Sequence, residues 1–159
     1  MGGKLSDMEI SPSSYSFTLR PASSSDAKTI RQIISLVHIN PTGLDWRRFI
    51  LAVDSNGQII GCGQVKPHAD GTLELASIAV LPEWRGRGVA RNVIEHLLTR
   101  FSGPIYLTCR SELGQLYQKF GFEVVELIDM PPYFKRISRF VNLINRLTRR
   151  PVALLVMKR

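Results

Sequence analysis

The stretch that most constrains the fold is Leu81-Pro-Glu-Trp-Arg-Gly-Arg-Gly-Val-Ala90. Thr72 to Val80, just before it, reads as a β-strand. After it, Val89, Val93, Ile94, Leu97, Leu98 and Phe101 recur at helical spacing. A strand that passes through glycines directly onto a helix N-terminus belongs to an α/β arrangement, and such a turn suits an anion. Gly86 and Gly88 allow close backbone approach, and the first helical turn offers unpaired amides. The helix dipole favours negative charge, and Arg85, Arg87 and Arg91 add screening charge. Taken alone, a Gly-x-Gly turn is more often a plain turn with solvated arginines. The letters exclude two common phosphate loops: a dinucleotide fingerprint needs Gly or Ala where Arg91 stands, and the Gly-Lys-Ser/Thr of a P-loop is absent.

The rest of the chain is consistent with that reading. Residues 1–14, rich in Ser, Gly and Pro, are expected to be a flexible leader to a single domain over 15–159. Tyr15 to Arg20 alternates like a strand. Ser23 to Asp26 offers N-caps to a helix with Ile30, Ile33, Ile34 and Val37 on one face, and His38 to Arg48 reads as a loop. Phe49 to Val53 and Gln58 to Val65 form a hairpin through Asn56-Gly57, and the turn Ala69-Asp70-Gly71 leads into Thr72 to Val80. Ile105 to Thr108 is expected as a buried strand, Leu113 to Phe120 as a short helix stopped by Gly121, and Phe122 to Ile128 as a further strand. Residues 133–150 read as a helix and Val152 to Met157 as a last strand. About seven strands and about four helices in mixed order describe an α/β (α+β) domain with a mixed sheet.

Composition narrows the setting. Cys62 and Cys109 sit in apolar runs, with no Cys-x-x-Cys and no His at ligand spacing. Structural metal is therefore not expected, and a reducing cytoplasm is. No apolar run reaches membrane-span length. The net charge of +8 is local: residues 1–132 carry 13 basic and 13 acidic side chains, and residues 133–159 carry 8 basic and none acidic. A neutral body with a basic C-terminal segment argues against a nucleic-acid-binding domain.

The signature in Arg85, Gly88 and Ala90 resembles the Gln/Arg-x-x-Gly-x-Gly/Ala cofactor motif of the GNAT superfamily of acyl-CoA-dependent N-acyltransferases. Leu75-Ala-Ser-Ile-Ala-Val80 is similar to the strand that precedes the motif in that family, and Leu116-Tyr-Gln-Lys-Phe-Gly-Phe122 to its Tyr-x-x-x-Gly-Phe segment. The element order agrees over about nine-tenths of the chain. The resemblance implies a GNAT-type domain with a mostly antiparallel sheet, and transfer of an acetyl group from acetyl-CoA, without metal, to a primary amine of a small molecule or peptide. It also implies that the amides of Gly86, Arg87, Gly88, Val89 and Ala90 cradle the pyrophosphate of coenzyme A. The backbone of Ile78, Ala79 and Val80 would pair with the pantetheine arm, and the Ile78 amide would donate to the thioester carbonyl.

Two proton handlers complete what the resemblance implies. Tyr117 matches the tyrosine that serves as general acid to the leaving thiolate. Glu74, four residues before Ile78, matches the catalytic glutamate of some members, others using a water chain, and regular strand alternation would put it on one face with Ile78. The Asn that usually precedes the tyrosine is absent from Cys109-Arg-Ser-Glu-Leu-Gly114, where Ser111 stands in its region.

Other positions are more ordinary. His38, Asp45, Trp46, Arg47 and Arg48 fall where the acceptor loop of the family lies, and His68 is in a turn able to face the same cleft, but each also reads as a surface residue. Trp84 is expected beneath the phosphate turn, and Cys109 is not expected to be a nucleophile. Ile137, Phe140, Val141, Ile144 and Leu147 share one helical face, and Lys135, Arg136, Arg139, Arg146, Arg149 and Arg150 take up the remainder. The first expectation is a helix packed on its own sheet. An anionic membrane surface, an acidic partner and an acidic acceptor are the other readings. Met1-Gly-Gly-Lys-Leu-Ser6 fits an N-myristoylation pattern on Gly2. The alternative to an enzyme is a non-catalytic acyl-CoA-binding module that docks through residues 133–150. The chain is expected to act as a monomer or homodimer.

Overall fold

The computed structural model of the protein describes residues 16–148, 151 and 153–159. The expected leader and the Gly2 acylation pattern lie outside the described residues.

Alternating and apolar runs form one seven-stranded sheet among the described residues, in the order β1-β2-β3-β4-β5-β7-β6. The strands are β1 (Phe17–Pro21), β2 (Phe49–Asp54), β3 (Ile59–Pro67), β4 (Leu73–Val80), β5 (Ile105–Arg110), β6 (Glu123–Val124) and β7 (Leu154–Lys158). Every pair is antiparallel except β4 with β5, whose parallel pairing requires the crossover that a helix supplies. That helix is α2 (Val89–Leu98); the others are α1 (Ala27–Leu36), α3 (Gly114–Gln118) and α4 (Pro132–Leu147).

One face of the sheet receives α2. Val89, Val93, Ile94, Leu97 and Leu98 are buried against Ile50, Ile60, Val65, Leu75, Ile105 and Leu107. Five side chains of this kind contribute about 10 kcal/mol relative to exposure. The close seat depends on β3 glycines: a Cβ on Gly63 would lie 2.8 Å from Val93 Cγ1 and 2.6 Å from Ile78 Cδ1, and one on Gly61 would lie 2.8 Å from Val89 Cγ1. The opposite face receives α1 through Ile30, Ile33 and Ile34, packed on Phe49, Leu51, Cys62 and Ala79. A capping box at Ser23 and Asp26 starts the α1 segment, with Asp26 gripped by Arg20 at 2.8 and 2.9 Å.

The C-terminal third departs most from the sequence expectation. The strand expected over Phe122 to Ile128 pairs only at Glu123 and Val124. Beyond Val125, whose amide bonds Val156, the chain turns at Glu126–Asp129 and leaves the sheet edge, so its apolar letters have no strand to pair with. The last strand lies two residues later at its start than expected. The helix ends at Leu147, with Thr148 extended three residues ahead of Pro151.

Candidate active site

The site begins where β4 and β5 part. They pair only at Leu73↔Ile105 and Glu74↔Tyr106, after which β4 continues to Val80 with a gap on its β5 side. The Leu81 amide donates to Ile60 of β3 at 2.9 Å. Because successive residues point their backbone polar groups to opposite sides of a strand, Ala79 faces β3, whereas Ile78 and Val80 turn their amides and carbonyls into the gap.

A bulge sits in the same strand. Cys62 pairs with Ala79 but Gln64 with Ala76, so Ser77 and Ile78 together oppose Gly63. Ser77 has φ +57°, a left-handed conformation uncommon for a residue with a side chain. Buried Gln64 holds it, donating from Nε2 to Ser77 Oγ at 3.0 Å and to the Gly43 carbonyl at 3.3 Å. The extra residue reverses the parity of the strand, which corrects the expectation of a shared face. The Ile78 side chain meets α2, whereas Glu74 is on the opposite face with Lys66 and Thr108.

At the end of β4 the turn is built for an anion. Gly86 and Gly88 have φ +74° and +79°, and a Cβ on Gly86 would meet nothing within 4 Å, so the outer side of the turn is open. Gly88 is the N-cap of α2, whose first main-chain bond runs from Asn92 to Gly88 at 3.0 Å. The amides of Gly88, Val89, Ala90 and Arg91 therefore precede any intrahelical acceptor. Arg85, Arg87 and Arg91 are exposed around them, Arg91 3.8 Å from Glu95, and the Arg87 guanidinium lies 5.2 Å above the Trp84 ring. Trp84 packs against both cores. These open amides, the three cations and the gap beside Ile78 and Val80 fit an extended phosphorylated molecule such as coenzyme A.

Tyr117 comes from α3 and packs on the α2-side core, to which Ile78 and Val80 also belong. Its ring meets Phe122 edge-on at 6.1 Å. Burial, with Cys109 adding, pushes the phenol up to about 12, so it holds its proton through the neutral range. Gly114 lets α3 sit close, since a Cβ there would lie 2.8 Å from Leu155 Cδ1. Ser111 is exposed just past β5, its amide bonded to Ala153 at 2.9 Å. Burial pushes the Cys109 thiol up to about 11 and Cys62 up to about 12, which leaves both protonated and inert.

On the other face a polar cluster gathers around buried Glu74. His68 Nε2 is 2.8 Å from Oε2, Lys66 Nζ is 3.6 Å from the same oxygen, and Thr108 Oγ1 donates to Oε1 at 3.1 Å. These partners offset the cost of burying a carboxylate. His68 lies flat on Tyr133 of α4, 3.4 Å between centroids, and edge-on to Phe134 at 5.8 Å. Asp70 fixes that lid by accepting the Tyr133 amide at 3.0 Å, and the Thr72 hydroxyl, then that amide, holds its carboxyl below the usual range. Burial, with Glu74 and Asp70 adding, raises the Tyr133 phenol.

The structure thus brings Glu74 and His68 together and leaves other candidates apart. His38 is exposed at φ +58° beyond α1, and Asp45 caps the short 3-10 turn Trp46–Arg48, pairing with Arg47 and Arg48. Lys66, Gln64, Thr108 and Tyr133 are not legible in the sequence as site residues. Lys66, Gln64 and Thr108 come to the Glu74 face through the register of β3, β4 and β5, and Tyr133 comes to His68 through the packing of α4, neither of which is a local property of the sequence. Among the described residues no group of His, Cys, Asp and Glu could hold a metal, and no helix is long and apolar enough to cross a membrane.

The family description "Acetyltransferase (GNAT) domain" matches residues 45–124, half of the chain. No curated protein sequence matches. Among solved structures, N-acetylglutamate synthase from Neisseria gonorrhoeae, complexed with coenzyme A and N-acetyl-glutamate, superposes with TM-score 0.68 at 18% identity, covering 89% of this chain and 34% of the synthase. The chain thus spans about a third of that enzyme's length. Rv2747 from Mycobacterium tuberculosis, in complex with CoA and NLQ, gives 0.67 at 18% identity, covering 89% of this chain and 97% of that one. Arabidopsis thaliana Naa50, in complex with a bisubstrate analogue CoA-Ac-MVNAL, gives 0.60 at 16%, covering 91% and 98%.

Proposed function

The chain belongs to the GNAT acetyltransferase family, and on that premise we propose that it moves an acetyl group from acetyl-CoA to the primary amine of an amino acid or peptide in a reducing cytoplasm. The carrying observation is the gap between β4 and β5, which opens at Glu74 and ends at the Gly86–Gly88 turn.

Each part of the chain has one task in this reading. The bound cosubstrate supplies an activated acetyl thioester. The amides of Gly86 to Ala90, with Arg85, Arg87 and Arg91 around them, hold the pyrophosphate, and Ser111 borders the pantetheine channel from the β5 end. Ile78 and Val80 offer the gap their backbone groups, and the Ile78 amide donates toward the oxygen that gains negative charge. Tyr117 holds a proton for the departing thiolate. Glu74, whose oxygens are already engaged by His68 and Thr108, acts as the anionic end of a pair that accepts the acceptor's proton through His68.

An acceptor panel of amino acids, polyamines and short peptides, followed by release of free coenzyme A thiol, tests this directly. Thiol release that rises at least about tenfold with one acceptor class supports the reading. Tight acetyl-CoA binding with no release across the panel supports the acyl-CoA-binding module instead.

A further inference from the structure

α4 carries an apolar asymmetry that the core does not use. Its apolar and polar residues are segregated more sharply than those of α1 or α2, and it is the most polar of the three helices. Yet α1 buries three residues and α2 five, whereas α4 buries only Phe134 among its sixteen. Half-buried Ile137, Ser138 and Val141 continue the Phe134 face along the sheet. Phe140, Leu143, Ile144 and Leu147 do not: they are 63%, 55%, 40% and 79% exposed.

The two solvent-facing flanks differ in character. At about 100° per residue, Phe140, Ile144 and Leu147 cluster within about 60° of one another, roughly 110° round from Phe134. Exposed Arg139 and Arg146 lie within about 20° of each other on the other flank, beside half-buried Lys135, whose Nζ donates to the Ile128 carbonyl at 3.2 Å, with Leu143 and Arg136 between the two groups. No acidic residue occurs after Asp129. A helix that is polar on balance, with apolar residues on one flank and cations on the other, is the form that lies in the plane of a membrane interface.

We propose that the outer face of α4 docks the protein on an anionic lipid surface, with Phe140, Leu143, Ile144 and Leu147 entering the headgroup boundary and Arg136, Arg139 and Arg146 meeting lipid phosphate. Charge selects this occupant. A second copy of the chain would bring two uncompensated rows of cations together, whereas an anionic leaflet complements them and accepts the apolar flank. Tyr133 and Phe134 are the α4 residues stacked against His68 of the catalytic cluster, and neither is a docking residue, so docking and acetyl transfer are independently testable.

The test is co-sedimentation of the whole chain with vesicles of phosphatidylcholine alone or with about one-third phosphatidylglycerol, at low and raised salt. Retention should require the anionic lipid and fall as salt rises. Arg139→Gln with Arg146→Gln should lower the partition coefficient about thirtyfold, from roughly 1 kcal/mol per cation. Phe140→Ser with Leu147→Ser should lower it at least about tenfold, and Leu36→Ser, an exposed apolar residue elsewhere, should leave it unchanged. Absence of retention, as an acidic protein partner or self-association would give, overturns the proposal. Equal retention on both vesicle types also overturns it, as does retention indifferent to Phe140 and Leu147.

Discussion

α2 and α4 carry similar sequence patterns and have different fates. Both show apolar residues at helical spacing, and both place an N-terminus beside the candidate site: α2 at the Gly86–Gly88 turn, α4 with Tyr133 over His68. α2 sinks five residues into the sheet because Gly61 and Gly63 clear a floor for it. α4 follows a strand only two residues long at the sheet edge and finds room for one buried phenylalanine. Periodicity states that a helix has an apolar face. Whether the protein itself covers that face depends on the floor beneath it.

The sharpest way to break the α2 end is Gly88→Glu, which places a carboxylate at the open amides and strains a φ of +79°. Acetyl-CoA affinity should fall about 10³-fold by calorimetry, while circular dichroism keeps its folded signature. Unchanged affinity would detach the turn from cofactor binding.

Tyr117→Phe should lower kcat about 10²–10³-fold with little change in acetyl-CoA affinity, read from steady-state kinetics and calorimetry. The raised phenol also carries a pH signature. A group whose folded pKa lies above its unfolded value stabilises the fold below the unfolded pKa, and that contribution is lost as pH rises from about 10 to about 12. Alkaline unfolding of the wild type should therefore steepen across that window, and the steepening should diminish in Tyr117→Phe.

At the α4 end the expected effect is smaller. His68→Gln and Glu74→Gln should each reduce kcat/KM for the amine about 10- to 100-fold while leaving acetyl-CoA affinity within about twofold. The double variant should cost little more than either single change, since the two groups act as one unit 2.8 Å apart. Additive losses would separate them.

How much the letters disclose follows the same divide. The Gly86–Gly88 turn and α2 are readable because glycine conformation and 3.6-residue spacing are local properties. The parity of β4 is not: a single extra residue at Ser77 reverses it, and Gln64, which holds the bulge, lies thirteen positions away. The Gly-Cys-Gly of β3 does carry a signal, since glycine inside a strand marks close backbone approach, but α2 as the approaching element is set by tertiary packing. His68 is readable as a turn residue and becomes a Glu74 partner only through the hairpin register that pairs Lys66 with Glu74.

The smallest expected effect tests the comparison itself. Leu97→Ala on α2 removes a side chain 1% exposed and should destabilise the protein by about 2–5 kcal/mol in denaturant melts, through lost transfer energy and the cavity left. Phe140→Ser removes a larger apolar group at an equivalent point of α4's pattern, yet its ring is already 63% exposed and the change should stay within about 0.5 kcal/mol. If Phe140→Ser instead costs as much as Leu97→Ala, its ring is covered in solution and α4 is a core helix like α2. A near-zero result leaves the apolar flank as surface that the fold does not need.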